Sequence, residues 1–190
     1  MNGKRRSRVA LLALIAVSAC AGGRGRRYQD PQMDFGAIKT IAILPFTNLS
    51  RDNLAAERVR DVFANELLAT GAVYVLPYGE VVRGIGKAGI AAAQTPSVEE
   101  VVRLGTALKA EGIITGTVKE YGEVRSGAAS ANALSMSVQL FETATGKVVW
   151  AAETTKGGIT FTDRLFGGGG EPMNDITEAA VHDLLRKMLR

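Results

Sequence analysis

The segment Ile41-Ala42-Ile43-Leu44 restricts the fold of this 190-residue chain more than any other. An apolar run without polar alternation, closed by Pro45, has no face to offer to water. It therefore predicts a strand within Ile38 to Phe46 that is covered on both sides. Elements that can supply the covering layers follow it in the chain. After a turn at Asn48 to Asp52, Ala55, Val59, Val62, Phe63 and Leu67 recur at helical spacing as far as Gly71, a C-terminal stop. Val73-Tyr74-Val75-Leu76-Pro77 reads as a second short strand. Val81, Val82 and Ile85 predict a short helix that ends in the glycines following it.

Ser97 and Glu100 have the spacing of a capping box, opening a helix through Val101, Leu104 and Leu108. Strand chemistry returns at Gly112 to Val118. Leu134 to Glu142 and Lys147 to Thr154 flank Thr143-Ala144-Thr145-Gly146, a four-residue connection that predicts an antiparallel hairpin. Ile176, Ala180, Leu184 and Met188 then define one face of a final helix. The pattern is α/β, a mixed sheet packed against helices, with no internal repeat.

The N-terminus carries a different signal. Lys4, Arg5, Arg6 and Arg8 precede the apolar residues Val9 to Val17 and the small residues Ser18 and Ala19, the layout of a secretory signal peptide over residues 1–19. Nine apolar residues fall well short of the roughly 20 that a spanning helix needs. Val17-Ser18-Ala19-Cys20 matches the lipobox of bacterial lipoproteins, in which the cysteine thiol is acylated before cleavage just ahead of it. Cys20 is the only cysteine, so no intramolecular disulfide can form, and lipidation gives it a purpose. Two or more acyl chains hold a protein stably at a membrane, and Ala21 lacks the aspartate that favours inner-membrane retention in enteric bacteria. The periplasmic face of the outer membrane is the expected location. Residues 20–36, rich in Gly, Arg, Gln and Asp, are expected to form the lipidated Cys and a flexible tether, and residues 37–190 one domain.

Charge narrows the partners. The chain has 23 Lys and Arg against 19 Asp and Glu, and loss of the four basic residues before Cys20 leaves the mature form balanced. Composition thus gives no support for nucleic-acid binding. Arg24, Arg26 and Arg27 lie beside the anchor, within reach of anionic head groups.

No catalytic apparatus is legible. Gly84-Ile85-Gly86-Lys87-Ala88-Gly89 matches GxGxxG, but a dinucleotide fingerprint joins a strand directly to a helix, and here a helix runs into the glycines. No cofactor is expected. His182, the single histidine, sits beside Asp183 in the last helix and reads as solvent-facing. One His and one Cys cannot build the repeated spacing of a zinc site, and no acidic cluster resembles a calcium loop, so no metal is expected. Asn48-Leu49-Ser50 reads as a turn. Residues 156–171 form a long predicted connection in which Ile159, Phe161, Leu165 and Phe166 precede four glycines, a candidate contact with a subunit or membrane.

Three motifs carry a family likeness: Lys39 to Asn48, Ala110 to Val118, and Phe141 to Trp150. In order and spacing they resemble the signatures of the CsgG, PelC and LpoB superfamily, to which the TolB N-terminal domain is also similar. The resemblance implies an anticodon-binding-domain-like α/β fold that serves periplasmic assemblies. Residues 120–133 are too short and too rich in Gly, Ala and Ser for two pairs of membrane-spanning strands, each about 9 to 11 residues long. The 16 residues from Ala21 to Gly36 extend at most about 55 Å. The resemblance thus implies a structural or accessory lipoprotein of an export or surface-assembly complex, homo-oligomeric and in contact with envelope or secretion proteins. The alternative is an LpoB-like activator of a peptidoglycan synthase.

Overall fold

The computed structural model describes residues 26–127, 129–159 and 170–190. One seven-stranded mixed sheet organises them. In chain order the elements are β1 (Arg27–Gln29), β2 (Thr40–Ile43), β3 (Thr47–Asn48), α1 (Ala55–Ala69), β4 (Tyr74–Val75), α2 (Tyr78–Ala88), α3 (Val98–Leu108), β5 (Gly112–Ser126), β6 (Ala129–Glu142), β7 (Val148–Gly157) and α4 (Met173–Met188). The strand order is β1-β7-β6-β5-β2-β4, with β3 pairing β5. β2 pairs in parallel with β4 and β5, while β5, β6, β7 and β1 form an antiparallel meander.

The apolar run behaves as its composition demands. Ile41 and Ile43 enter a core shared with Phe63 and Leu67 of α1 and Leu184 and Leu185 of α4. Ala42 and Leu44, on the opposite face, enter a second core with Val81 of α2 and Val101 and Leu104 of α3. Alternation along one strand thus feeds both layers. Each large apolar side chain fully withdrawn from water contributes about 1.5–3 kcal/mol.

Local chemistry sets the element ends. Asn48 Oδ1 accepts from Ser50 N at 3.0 Å and Asn48 Nδ2 donates to Asp52 O at 2.7 Å, a side-chain turn that leads into α1. The capping box at Ser97 forms on both arms, Glu100 N to Ser97 Oγ at 3.3 Å and Ser97 N to Glu100 Oε2 at 2.8 Å. Gly146, with φ of 70°, closes the β6–β7 connection in a conformation that excludes most side chains. Arg60 on α1 is buried, pairs with Asp61 and stacks 3.4 Å from the Tyr78 ring centroid, tying α1 to α2.

Two expectations change, and a third is met one turn later than its first glycine. The tether predicted to run to Gly36 contains a strand, because Arg27–Gln29 pairs antiparallel with Ala152 to Trp150 of β7. The described body therefore reaches back to β1. The helix predicted to end in the GxGxxG glycines does so at the last of them, Gly89, whose φ of 65° makes it the C-cap, after passing through Gly84 and Gly86. Gly84 sits in the helix because a Cβ there would collide with Leu108, so close packing of α2 on α3 outweighs its low helix propensity. β5 and β6 also exceed the predicted strands, running on as one long hairpin arm through residues 120–126 and 129–133.

Gly105 has the same role in α3. A Cβ at this position would strike Thr143 Cβ and lie 2.7 Å from its Cγ2, and Thr143 is fixed by donating to Ala110 O at 2.6 Å. Gly105→Val is expected to destabilise the domain by about 2 kcal/mol or more through overpacking. Gly86→Ala, with open space around it, should instead stabilise by about 1 kcal/mol. Urea midpoints moving in opposite directions with unchanged slopes would verify the pair.

Candidate interaction surface

The two faces of the sheet are covered unequally. α1 and α4 lie over one face, where Leu134, Met136, Val138 and Leu140 of β6 and Trp150 and Ala152 of β7 are buried. On the other face α2 and α3 cover β2 and the start of β5, where Ile113 enters their core. Alternation and register then place Ser135, Ser137 and Gln139 of β6 beside Thr155, Glu153 and Ala151 of β7 on the uncovered part. Tyr28 of β1 lies opposite Ala151 and is half exposed.

This patch is polar and built from short side chains. Thr155 Oγ1 lies 3.1 Å from Ser135 Oγ, and Lys119 Nζ reaches across to Glu153 Oε2 at 3.2 Å. A shallow depression of about 330 Å³ is lined by Tyr28, Ser137, Gln139, Ala151 and Glu153, with Arg26 and Arg27 at its rim. Hydroxyls, one amide and an aromatic ring on a flat sheet suit hydrogen bonding to a partner surface. The hydroxyls have no imidazole beside them. His182 projects from α4 on the far side of the sheet, exposed, with Nε2 3.5 Å from Glu66 Oε2 of α1.

A second concentration of charge surrounds the C-terminal half of α4. Asp183 accepts from Lys187 Nζ at 2.7 Å, Thr154 Oγ1 at 2.8 Å and Arg186 Nη2 at 3.1 Å, and Lys156 Nζ stands at 3.8 Å. Burial pushes its carboxyl pKa up, but the hydrogen bonds from Lys187 and Thr154 and the charges of Lys187 and Lys156 outweigh this and hold it at about 2. A carboxylate depressed on folding stabilises the native state above its unfolded value near 4, and that contribution is lost as pH falls toward 2. Asp183→Asn is therefore expected to flatten the fall in stability between about pH 4 and pH 2, as read from thermal midpoints across that window.

Among the described residues, no group of three or more His, Cys, Asp or Glu side chains is placed to hold a metal ion. Val17, Ser18, Ala19 and Cys20 lie outside the described residues, as do Phe161, Leu165 and Phe166. Ile159 is described, half-buried just beyond β7. The open sheet patch and the α4 charge cluster were not legible in the sequence, since both depend on which face the helices cover and on residues far apart in the chain.

A mixed sheet with helices over one face and part of the other is the architecture of the LpoB and PelC-like superfamily of periplasmic lipoproteins. Residues 27–155 match the family model described as peptidoglycan-synthase activator LpoB, and the chain belongs to that family. Its fold is similar to the PelC dodecamer from Paraburkholderia phytofirmans, with a TM-score of 0.57 at 16% identity, covering 87% of this chain and 98% of that one. Lipoprotein GNA1162 from Neisseria meningitidis is also similar, with a TM-score of 0.55 at 16% identity over 80% and 98%. The hypothetical protein CT253 from Chlamydia trachomatis gives a TM-score of 0.53 at 14% identity over 80% and 96%. No curated protein matches the sequence.

Proposed function

We propose that the mature protein is anchored through Cys20 to the periplasmic face of the outer membrane and serves there as a structural or accessory subunit of an export or surface-assembly complex. It acts by contact and not by catalysis, as a homo-oligomer. The observation that supports this reading most is the docking of β1 on β7. Only residues 21–26 then separate Cys20 from the sheet, a span of at most about 25 Å. A domain held so close suits a collar at the membrane surface better than a reach across the periplasm. The dodecameric state of the similar PelC structure supports the oligomer, and Ile159, Phe161, Leu165 and Phe166 remain the proposed apolar contact with a neighbouring subunit or the membrane.

The family's description favours a second reading, activation of a peptidoglycan synthase. Native protein extracted in mild detergent separates the two. The accessory reading expects a multimer that carries outer-membrane export proteins. A monomer recovered with a transglycosylase or transpeptidase would replace it with the second reading.

A further inference from the structure

The fold gathers cations that the sequence scatters. β1 runs beside β7, and the C-terminal end of α4 lies against both: Arg27 Nη1 donates to Lys187 O at 3.2 Å, and Lys187 Nζ donates to Glu153 O at 3.0 Å. Arg26 precedes β1, Arg186 and Lys187 form the last turn of α4, and Arg190 follows two residues beyond the helix. Lys156 approaches the same cluster through Asp183. The carboxylates interleaved with these groups are Asp183 and Glu153, and Glu153 is also paired with Lys119. Among the described residues, Arg26 and Arg190 are exposed and have no carboxylate partner.

The chain enters the domain through Arg26 and Arg27, beside this cluster. Cys20 lies six residues ahead of Arg26, so acyl chains at Cys20 would bring these cations within a short distance of the head groups. We propose that the β1 and α4 C-terminal end is a membrane-apposed face that binds anionic phospholipid head groups and fixes the orientation of the domain on its anchor. The orientation rests on the anchored reading above; the affinity for anionic lipid does not. Each cation near such a surface contributes roughly a fivefold gain in binding, screened by salt over a Debye length of about 8 Å at physiological ionic strength.

The test uses the mature chain from residue 20 with Cys20→Ser, which contains every described element and no acyl group. Flotation with phosphatidylcholine vesicles is compared with flotation with vesicles containing about 30% phosphatidylglycerol, an anionic surface of the kind that attracts basic segments. Binding is expected only to the anionic vesicles and should disappear in about 0.5 M sodium chloride, where screening is far stronger. Arg26→Gln with Arg190→Gln should weaken it about 25-fold. Neither side chain has a described partner, so the circular dichroism of this variant should match its parent, whereas Arg51→Gln with Arg103→Gln should leave binding intact. Equal flotation with both vesicles, no flotation with either, or no loss in the Arg26 and Arg190 variant would overturn the proposal. Its failure is distinguishable from failure of the anchor, because acylation of native Cys20 is read separately.

Discussion

Trp150→Ala is expected to lower the unfolding free energy by about 3–5 kcal/mol, the range for removing a fully buried large aromatic side chain. Trp150 is 0% exposed near the start of β7, with Gln29 of β1 on one side and Leu140 of β6 on the other. Its ring belongs to the core closed by α1 and α4, so truncation leaves a cavity that the paired β1, β6 and β7 cannot collapse to fill. A domain of this size is stable by about 5–15 kcal/mol, so the variant loses a large share of its margin.

The indole also carries a cost. Its Nε1 finds no hydrogen-bond acceptor among the described residues, and an unsatisfied buried donor costs about 1–3 kcal/mol. Trp150→Phe removes that donor while keeping much of the volume, and it should recover most of the stability lost in the alanine variant. Because Trp150 is the only tryptophan, the urea transitions must be followed by circular dichroism and not by fluorescence. A loss below about 1 kcal/mol for Trp150→Ala, well under the range for emptying such a site, would refute this placement of the ring.

The second large effect concerns the anchor. Cys20→Ser is expected to reduce labelling by fatty acid to background and to replace the mature band with a precursor longer by residues 1–19. The proposed processing needs the acylated thiol before cleavage, and a serine hydroxyl does not substitute for it. One acyl chain holds a protein only marginally and two or more hold it stably, so attachment through this residue is nearly all or none. Persistent labelling of the variant, or an unchanged mature band, would remove Cys20 from the account.

Much of the fold could be read where local chemistry and burial agree. Ile41 to Leu44 announced a doubly covered strand, Ser97 and Glu100 announced a helix start, and Ile176, Ala180, Leu184 and Met188 all point into one core. What stayed hidden depends on distant partners. Arg27, Tyr28 and Gln29 have no apolar alternation and are a strand only because β7 supplies an edge. Glu120 to Ser126 is charged and rich in small residues, yet it extends because residues 129–135 pair with it across the arm. The glycines from Gly84 to Gly89 do end a helix, but only at Gly89, and the packing of Gly84 against Leu108 was not visible in the sequence.

The candidate surfaces divide in the same way. The proposed lipobox is contiguous, so that proposal comes from the sequence alone. The open sheet patch cannot be read that way, because Gln139 and Ala151 are exposed or half-exposed only where α2 and α3 fail to cover the sheet. The basic face is equally hidden, since Arg27 and Lys187 lie 160 residues apart and meet through a single helix-end carbonyl.

Closeness of the folded domain to the lipid is the claim on which the function rests, and neutron reflectometry of the natively acylated protein on a supported bilayer measures it directly. The account predicts protein density that begins within about 25 Å of the head groups, the full extension of the short link. A hydrated gap substantially wider than the reach of residues 21–26 would contradict it.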